Sequence, residues 1–301
     1  MRIGVDLGGT KTEGVVLNPA GGELLRRRYP TPQAEGYSAV LSTVVSLVRE
    51  LEQSVHENCT IGIGTPGVIS PADGSLRNSN TVCLIGKPIV ADLARELERP
   101  VRMENDANCF ALSEAIDGAG RGYETVFGVI MGTGIGGGII NQGKLIRGRL
   151  NISGEWGHNL LETDGPRCYC GRRGCVETFL SGPGLAADYV RRGGSPDATA
   201  EDAFHLAAGG DEIAEQSVQA FLKRFGRALA TVINILDPHA IVLGGGLSNV
   251  ERLYSEGCEQ VARHVFWDAF DTPILKNKNG DSARVRGAAQ LWPTAEKTRP
   301  H

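Results

Sequence analysis

Three times in this chain a β-branched, apolar run ends abruptly in glycine: GVDLGGT over 4–10, GVIMGTG over 128–134 and IVLGGG over 241–246. A strand that runs into glycine carries backbone N–H groups to a turn where no Cβ blocks close approach, which suits phosphate oxygens. One such turn alone is a tight connection and nothing more. Three at strand ends, two of them carrying a threonine (Thr10 and Thr133), point to nucleotide phosphates held by an α/β protein.

Neither familiar phosphate motif fits. In GVDLGGTKT, Thr10 stands between Gly9 and Lys11 and the sequence continues as a strand, so this is not a P-loop. Residues 132–137 contain GxGxxG, and Glu155 lies near the distance of a ribose-binding acid. The chain then runs through apolar 139–140 into the turn Asn141-Gln142-Gly143, a hairpin where dinucleotide binding needs a helix. NAD-dependent redox chemistry stands on that ground only as a distant alternative.

Periodicity predicts strands at 3–7, 12–17 and 24–29, a helix at 38–51, a strand at 61–64, a helix at 89–97, a strand at 101–103 and a helix at 107–115. The run DGAGRG over 117–122 then reads as a boundary. Beyond it, 128–134 echoes 4–10, which predicts a duplicated unit. A long helix is expected over 212–236, a strand over 240–243 and a helix from about 249. A chain of 301 residues exceeds the size at which one core keeps growing. The expected domains are 1–118, with a C-terminal helix at about 285–301 packing back onto it, and 119–284.

The balance of 31 basic against 35 acidic residues, with Arg26-Arg27-Arg28 the longest basic run, counts against nucleic acid and anionic membrane as partners. There is no cleavable leader pattern, and no apolar run approaches the roughly 20 residues of a membrane span, so a soluble cytoplasmic protein is expected. The odd number of cysteines, 7, argues against a disulfide framework there. Cys59, Cys83, Cys109 and Cys258 sit among apolar neighbours and read as core fillers.

Two carboxylates stand out. Asp6 ends a buried strand beside the first glycine turn, where an unpaired charge is expensive; either a turn N–H satisfies it or it reaches toward a metal held by phosphates. Asp106, in ENDAN over 104–108, lies where a strand meets a helix. It reads equally as a helix N-cap and as a catalytic carboxylate kept ionised by nearby N–H groups, and the two roles are compatible.

His158, Cys168, Cys170 and Cys175 form H-x9-C-x-C-x4-C, with Pro166, Gly171 and Gly174 supplying bends. Three thiolates and one imidazole fill a tetrahedral zinc site and leave no position for water, so the expected metal is structural. Glu155 and Glu177 flank this loop and are carried into position by it.

The ordered set DLGGTKT, GTPG, ENDAN, GTGIGGG, GEWGHN, CYCGRRGCVET and LGGGLSN resembles the ROK family of sugar kinases and related repressors over about residues 2–292. The resemblance implies the α/β, actin-like ATPase (hexokinase-type) fold, with two domains flanking a cleft for Mg-ATP and sugar. It implies that Asp6, Gly8, Gly9, Thr10, Lys11, Thr133, Gly134, Gly244, Gly245 and Gly246 line the nucleotide. By the same carry-over Asp106 is the catalytic base and Asn105, Glu155, His158 and Glu177 contact the sugar. Gly67, Asn78 and Asn80 line the sugar pocket, and His158 with the three cysteines binds zinc. A homodimer is expected on the same footing.

Repressors of the family carry an N-terminal helix-turn-helix domain, whereas here a strand follows Met1, which favours a kinase. GEWGHN, CYCGRRGCVETFLSGPG and VINILDP look most similar to bacterial fructokinases and mannokinases, so fructose, with mannose, ranks first as the sugar phosphorylated at its 6-hydroxyl. ENDANCFALSEA and GTGIGGG are similar to N-acetylglucosamine kinases, which rank second together with glucokinases. A non-catalytic sugar sensor on the same scaffold needs a loss among the catalytic residues, and none is seen.

Overall fold

The computed structural model describes residues 1–293. In chain order the elements are β1 (Arg2–Leu7), β2 (Lys11–Leu17), β3 (Glu23–Pro30), α1 (Tyr37–Val55), β4 (Thr60–Thr65), β5 (Val68–Ile69), β6 (Leu76–Arg77), α2 (Ile89–Glu96), β7 (Val101–Asn105) and α3 (Asp106–Ile116). Next come β8 (Thr125–Met131), β9 (Ile135–Asn141), β10 (Lys144–Leu145), α4 (Glu177–Leu180), α5 (Gly182–Arg191), α6 (Ala200–Ala208), α7 (Glu212–Leu236), β11 (Ala240–Gly244), α8 (Glu256–Ala262), β12 (Ile274–Lys276) and α9 (Ala283–Gln290). They form two compact units, one of Met1–Ile116, Gly143–Ser153 and the chain from Asp281, the other of Asp117–Gln142 and Gly154–Gly280.

In the first unit the sheet order is β3-β2-β1-β4-β7, with β1 antiparallel to β2 and parallel to β4. Side chains alternate along β1, so Ile3, Val5 and Leu7 join the core built with Val40, Val44, Leu47, Val48 and Leu51 of α1. Those α1 residues recur at helical spacing, which is why 38–51 is legible as a helix. Gly4 and Asp6 take the opposite face, and that face receives α9.

The approach of α9 is at backbone distance. A Cβ on Gly4 would stand 2.0 Å from the Val285 carbonyl, and one on Gly62 in β4 1.8 Å from the Ala288 carbonyl. On the other side of α9, a Cβ on Gly287 would meet the Cys109 carbonyl of α3 at 1.7 Å. Glycines on two neighbouring strands and on the helix itself therefore let sheet, α9 and α3 approach to backbone distance at these points.

The second unit repeats this scheme. Its strands run β9-β8-β11-β12, with β8 antiparallel to β9 and parallel to β11, as β1 is to β2 and β4. The echo of 4–10 in 128–134 is thus an echo of structure. Phe127 and Val129 from the sheet pack with Phe221, Leu222, Phe225 and Leu229 of α7, whose N-terminus is capped by Asp211 Oδ1 accepting from the Ala214 N–H at 2.7 Å.

Two expectations are corrected. The helix from about 249 is instead two short 3-10 turns, Gly246–Asn249 and Glu251–Leu253, separated by extended Val250, before α8 begins at Glu256. Residues 143–153 cluster with the first unit and not with 119–284. They are held there by Arg147 Nε on Glu104 Oε2 at 2.6 Å and by Asn151 Nδ2 on the Ile69 carbonyl at 2.9 Å. Of the expected C-terminal helix at about 285–301, Ala283–Gln290 is helical, and 294–301 lie outside the described residues. The arginine run pairs with acids of its own unit: Arg26 and Arg28 with buried Glu13, Arg27 with Glu50. Among the described residues no helix is long and apolar enough to cross a membrane.

Packing this close tolerates no methyl group. Gly62→Ala is expected to destabilise the first unit by about 3 kcal/mol or more, read as a lowered urea midpoint at unchanged slope.

Candidate active site and metal cluster

In the first unit the predicted residues form a connected arc. The turn after β1 is closed by the Gly8 N–H donating to the Lys11 carbonyl at 3.0 Å, and Thr31 Oγ1 donates to the Gly8 carbonyl at 2.8 Å. A Cβ on Gly9 would just touch Asn80 Oδ1 and Thr81 Oγ1, each at 3.7 Å, and Gln33 Nε2 at 3.8 Å. Gly67 has φ +105°, and a Cβ there would lie 2.5 Å from the Arg77 carbonyl, so only glycine lets the β5–β6 hairpin fold back at this point. Asn78, also at positive φ, lies between Arg77 and Ser79, both of which crowd Gly67.

Asn105 ties this hairpin to the helix after it. Its Nδ2 donates to the Gly67 carbonyl at 3.1 Å, while its Oδ1 accepts from the Ala107 N–H at 2.9 Å. Asp106 Oδ1 accepts from the same N–H at 3.0 Å, so the cap is shared. Asp106 Oδ2 is not needed for the cap.

That second oxygen faces a residue which motif reading missed. Arg284, in the first turn of α9, places Nε 3.2 Å from Asp6 Oδ2 and Nη1 3.9 Å from Asp106 Oδ2. Asp6 is therefore satisfied by an ion pair, not by a turn N–H. Burial pushes the Asp6 carboxyl up to about 6, with Arg284 opposing the rise and Asp106 adding to it. Burial raises Asp106 too, against the pull of Arg284 and its backbone hydrogen bonds. No spacing signal marks Arg284, which lies 178 positions after Asp106 in sequence (284 minus 106); the small-residue pattern GAA at 287–289 marks only the close packing that delivers it.

In the second unit the other two glycine turns lie side by side. They come after the parallel neighbours β8 and β11, and a Cβ on Gly245, at φ +79°, would sit 2.3 Å from the Met131 carbonyl. Gly132 and Gly246 face open space. Two turns at the carboxyl ends of adjacent parallel strands are where α/β proteins hold phosphates.

Glu177, at the start of α4, joins this turn to the cysteine loop: its Oε2 accepts from the Ile135 N–H at 2.9 Å and its Oε1 lies 3.9 Å from Cys168 Sγ. The segment carrying Glu155 packs on β9 through glycines, since a Cβ on Gly157 would be 2.6 Å from the Ile135 carbonyl and one on Gly154 2.5 Å from that of Gly137. Thr133 and Gly134 are thus on a strand turn, Glu155 and His158 on one short segment laid against β9, and Glu177 at the start of α4.

The ligand atoms of His158, Cys168, Cys170 and Cys175 all lie within 4.8 Å of one another. His158 Nδ1 is 3.6 Å from Cys168 Sγ, and Cys170 Sγ is 3.7 Å from Cys175 Sγ. His158 Nε2 points the other way, to the Tyr169 hydroxyl at 3.0 Å. The four can hold a metal ion, with Nδ1 as the histidine donor.

Duplicated α/β units with glycine turns at strand ends, and an aspartate where a strand meets a helix, mark the actin-like ATPase fold of hexokinases. The chain belongs to the ROK family, whose sequence profile matches residues 2–295. It is 39% identical over 301 residues to an N-acetyl-D-glucosamine kinase of Yersinia pseudotuberculosis, covering 97% of this chain and 98% of that one. Its structure is similar to that of the ROK hexokinase from Thermus thermophilus (TM-score 0.86, 32% identity, 96% of each chain). It is also similar to that of a ROK glucokinase from Streptomyces griseus in complex with glucose and AMPPNP (TM-score 0.79, 28% identity, 96% of this chain and 98% of that one). Within that family this chain is an ATP-dependent sugar kinase.

Proposed function

We propose that the chain transfers the γ-phosphoryl group of ATP to the 6-hydroxyl of N-acetylglucosamine, with Asp106 as the base. The observation that carries this reading is the end-to-end match, at 39% identity, to kinases of that sugar. It reverses the ranking from local stretches, in which fructose with mannose stood first. Glucose is the second reading, favoured by the likeness to the glucokinase bound to glucose.

Asp106 suits the role because its helix cap occupies Oδ1 and leaves Oδ2 to accept a proton. As the sugar O6–P bond forms and the bond from phosphorus to the β,γ-bridging oxygen breaks, the hydroxyl proton passes to Asp106 and ADP departs. Mg²⁺ carried with ATP supplies neutralisation of the phosphate charge. In the first unit Gly8, Gly9, Thr10 and Lys11, with Asp6 behind them, serve the nucleotide. In the second, Thr133, Gly134 and Gly244 to Gly246 offer it unshielded N–H groups. Asn105, Gly67, Asn78 and Asn80, and in the second unit Glu155, His158 and Glu177, hold the sugar hydroxyls. We further infer a cytoplasmic homodimer that takes sugar and ATP, a reading supported by family resemblance.

Zinc is the metal we assign to the cysteine cluster. A tetrahedron with Zn–S bonds of about 2.3 Å has edges of about 3.8 Å, close to the 3.7 Å between Cys170 and Cys175. With four protein ligands it fixes the loop that carries His158 and Glu177 and takes no part in bond making.

Two measurements test these assignments. Coupled ADP release with Mg-ATP should show kcat/KM for N-acetylglucosamine at least about tenfold above glucose, fructose and mannose, a gap of about 1.4 kcal/mol. A clear preference for fructose restores the first ranking. Metal analysis of protein purified without added zinc should find about one equivalent, lost in Cys170→Ser together with a raised sugar KM.

A further inference from the structure

Arg284 carries an inference beyond the assignment of the base, and it rests on the reading of Asp106 as that base. A carboxylate must be ionised before it can take a proton, and its neighbours decide whether it is. The charge that bears on Asp106 is that of Arg284 at the start of α9; Lys11 and Glu13 from β2 bear on Asp6 of β1, Asp281 bears on Arg284, and Glu104 at the end of β7 and Arg147 from the 143–153 segment bear on Cys109 in the same helix as Asp106. Most are already engaged. Lys11 lies 3.9 Å from Glu13, which also binds Arg26 and Arg28, and Arg147 is on Glu104 at 2.6 Å.

There remain Asp281, whose charge falls on Arg284, and an acid pair, Asp6 and Asp106, with one guanidinium across both. The backbone that carries that guanidinium is held in place. Its helix is fixed on the sheet at Gly4 and Gly62, and Ser282, two residues before it, accepts from Arg26 Nη2 at 2.9 Å. Without it, two carboxylates on adjoining elements would oppose each other's ionisation.

We propose that Arg284 is a positioning residue for phosphoryl transfer: it bridges Asp6 and Asp106 and keeps Oδ2 of Asp106 deprotonated and aimed for the incoming hydroxyl. It does so through Asp106, without contact with the sugar. The sign of its effect is defined. Removing the cation raises the Asp106 pKa, so the charged base is lost at a higher pH, and activity falls most on the acid side.

The test compares wild type, Arg284→Gln and Arg284→Lys. In Arg284→Gln the acid limb of kcat should move up by about one pH unit or more. At the wild-type midpoint kcat should fall about fivefold or more, with much of it regained on the alkaline side. The sugar KM should stay within about twofold, because Arg284 touches no sugar group. Arg284→Lys, which keeps the charge, should recover most of the loss. An unmoved limb, or a loss equal at every pH that Lys does not rescue, overturns the proposal. The ¹³C carboxyl titration of Asp106, assigned with Asp106→Asn, reads the same shift without turnover. An enzyme inactive on every sugar would then refute the proposed function, while an unchanged titration in Arg284→Gln would refute the role of Arg284.

Discussion

The contact on which the first unit depends is one between backbones. The carbonyls of Val285 and Ala288 occupy the space that side chains on Gly4 and Gly62 would fill, and α3 leans on the same helix through Gly287. Peptide groups at that range fix α9 in position and rotation more tightly than side-chain packing could, because no rotamer change can relieve a shift. The two carboxylates and the cation of this unit's site are hung from that stack. Asp6 stands two residues beyond Gly4 on the same face, Asp106 opens the helix that α9 supports, and Arg284 sits one residue before Val285.

The second unit uses the same device elsewhere. Gly137, Gly154 and Gly157 let the loop bearing Glu155 lie directly on β9, and Gly245 brings the third glycine turn against the end of β8. The many glycines of the motifs therefore serve two ends, leaving open space beside the backbone at Gly132 and Gly246, and admitting close backbone contact at positions such as Gly137 and Gly245. The cysteine cluster extends this logic to a loop too irregular to be fixed by packing. Four ligand atoms within 4.8 Å of one another can take a metal ion on a segment whose backbone bonds are mostly local.

Much of this is legible in the sequence because it is periodic or local. Alternation along 3–7 gives β1, the 3.6-residue repeat of valines and leucines gives α1, and the repeated strand-glycine-threonine turn gives the duplication. The Cys/His spacing is legible for the same reason, since bends at glycine and proline make four near ligands converge. Long-range pairing is the part that escapes. Arg284 looks like any surface arginine until the helix carrying it is laid across β1, and 143–153 looks like part of the second unit until Arg147 meets Glu104. The chain after Gly245 defeats periodicity for another reason: extended Val250 interrupts what reads as one helix. Sugar identity is not a matter of spacing at all, and local stretches ranked it differently from the match over the full chain.

The central claim is that Asp106 accepts the proton of the attacking hydroxyl, and Asp106→Asn tests it most directly because the side chain keeps its size and its capping oxygen. The account predicts N-acetylglucosamine affinity by calorimetry within about threefold of wild type, with kcat reduced by about 10² to 10⁴. Turnover close to wild type in that variant would contradict it, and would mean that the group accepting the proton lies elsewhere.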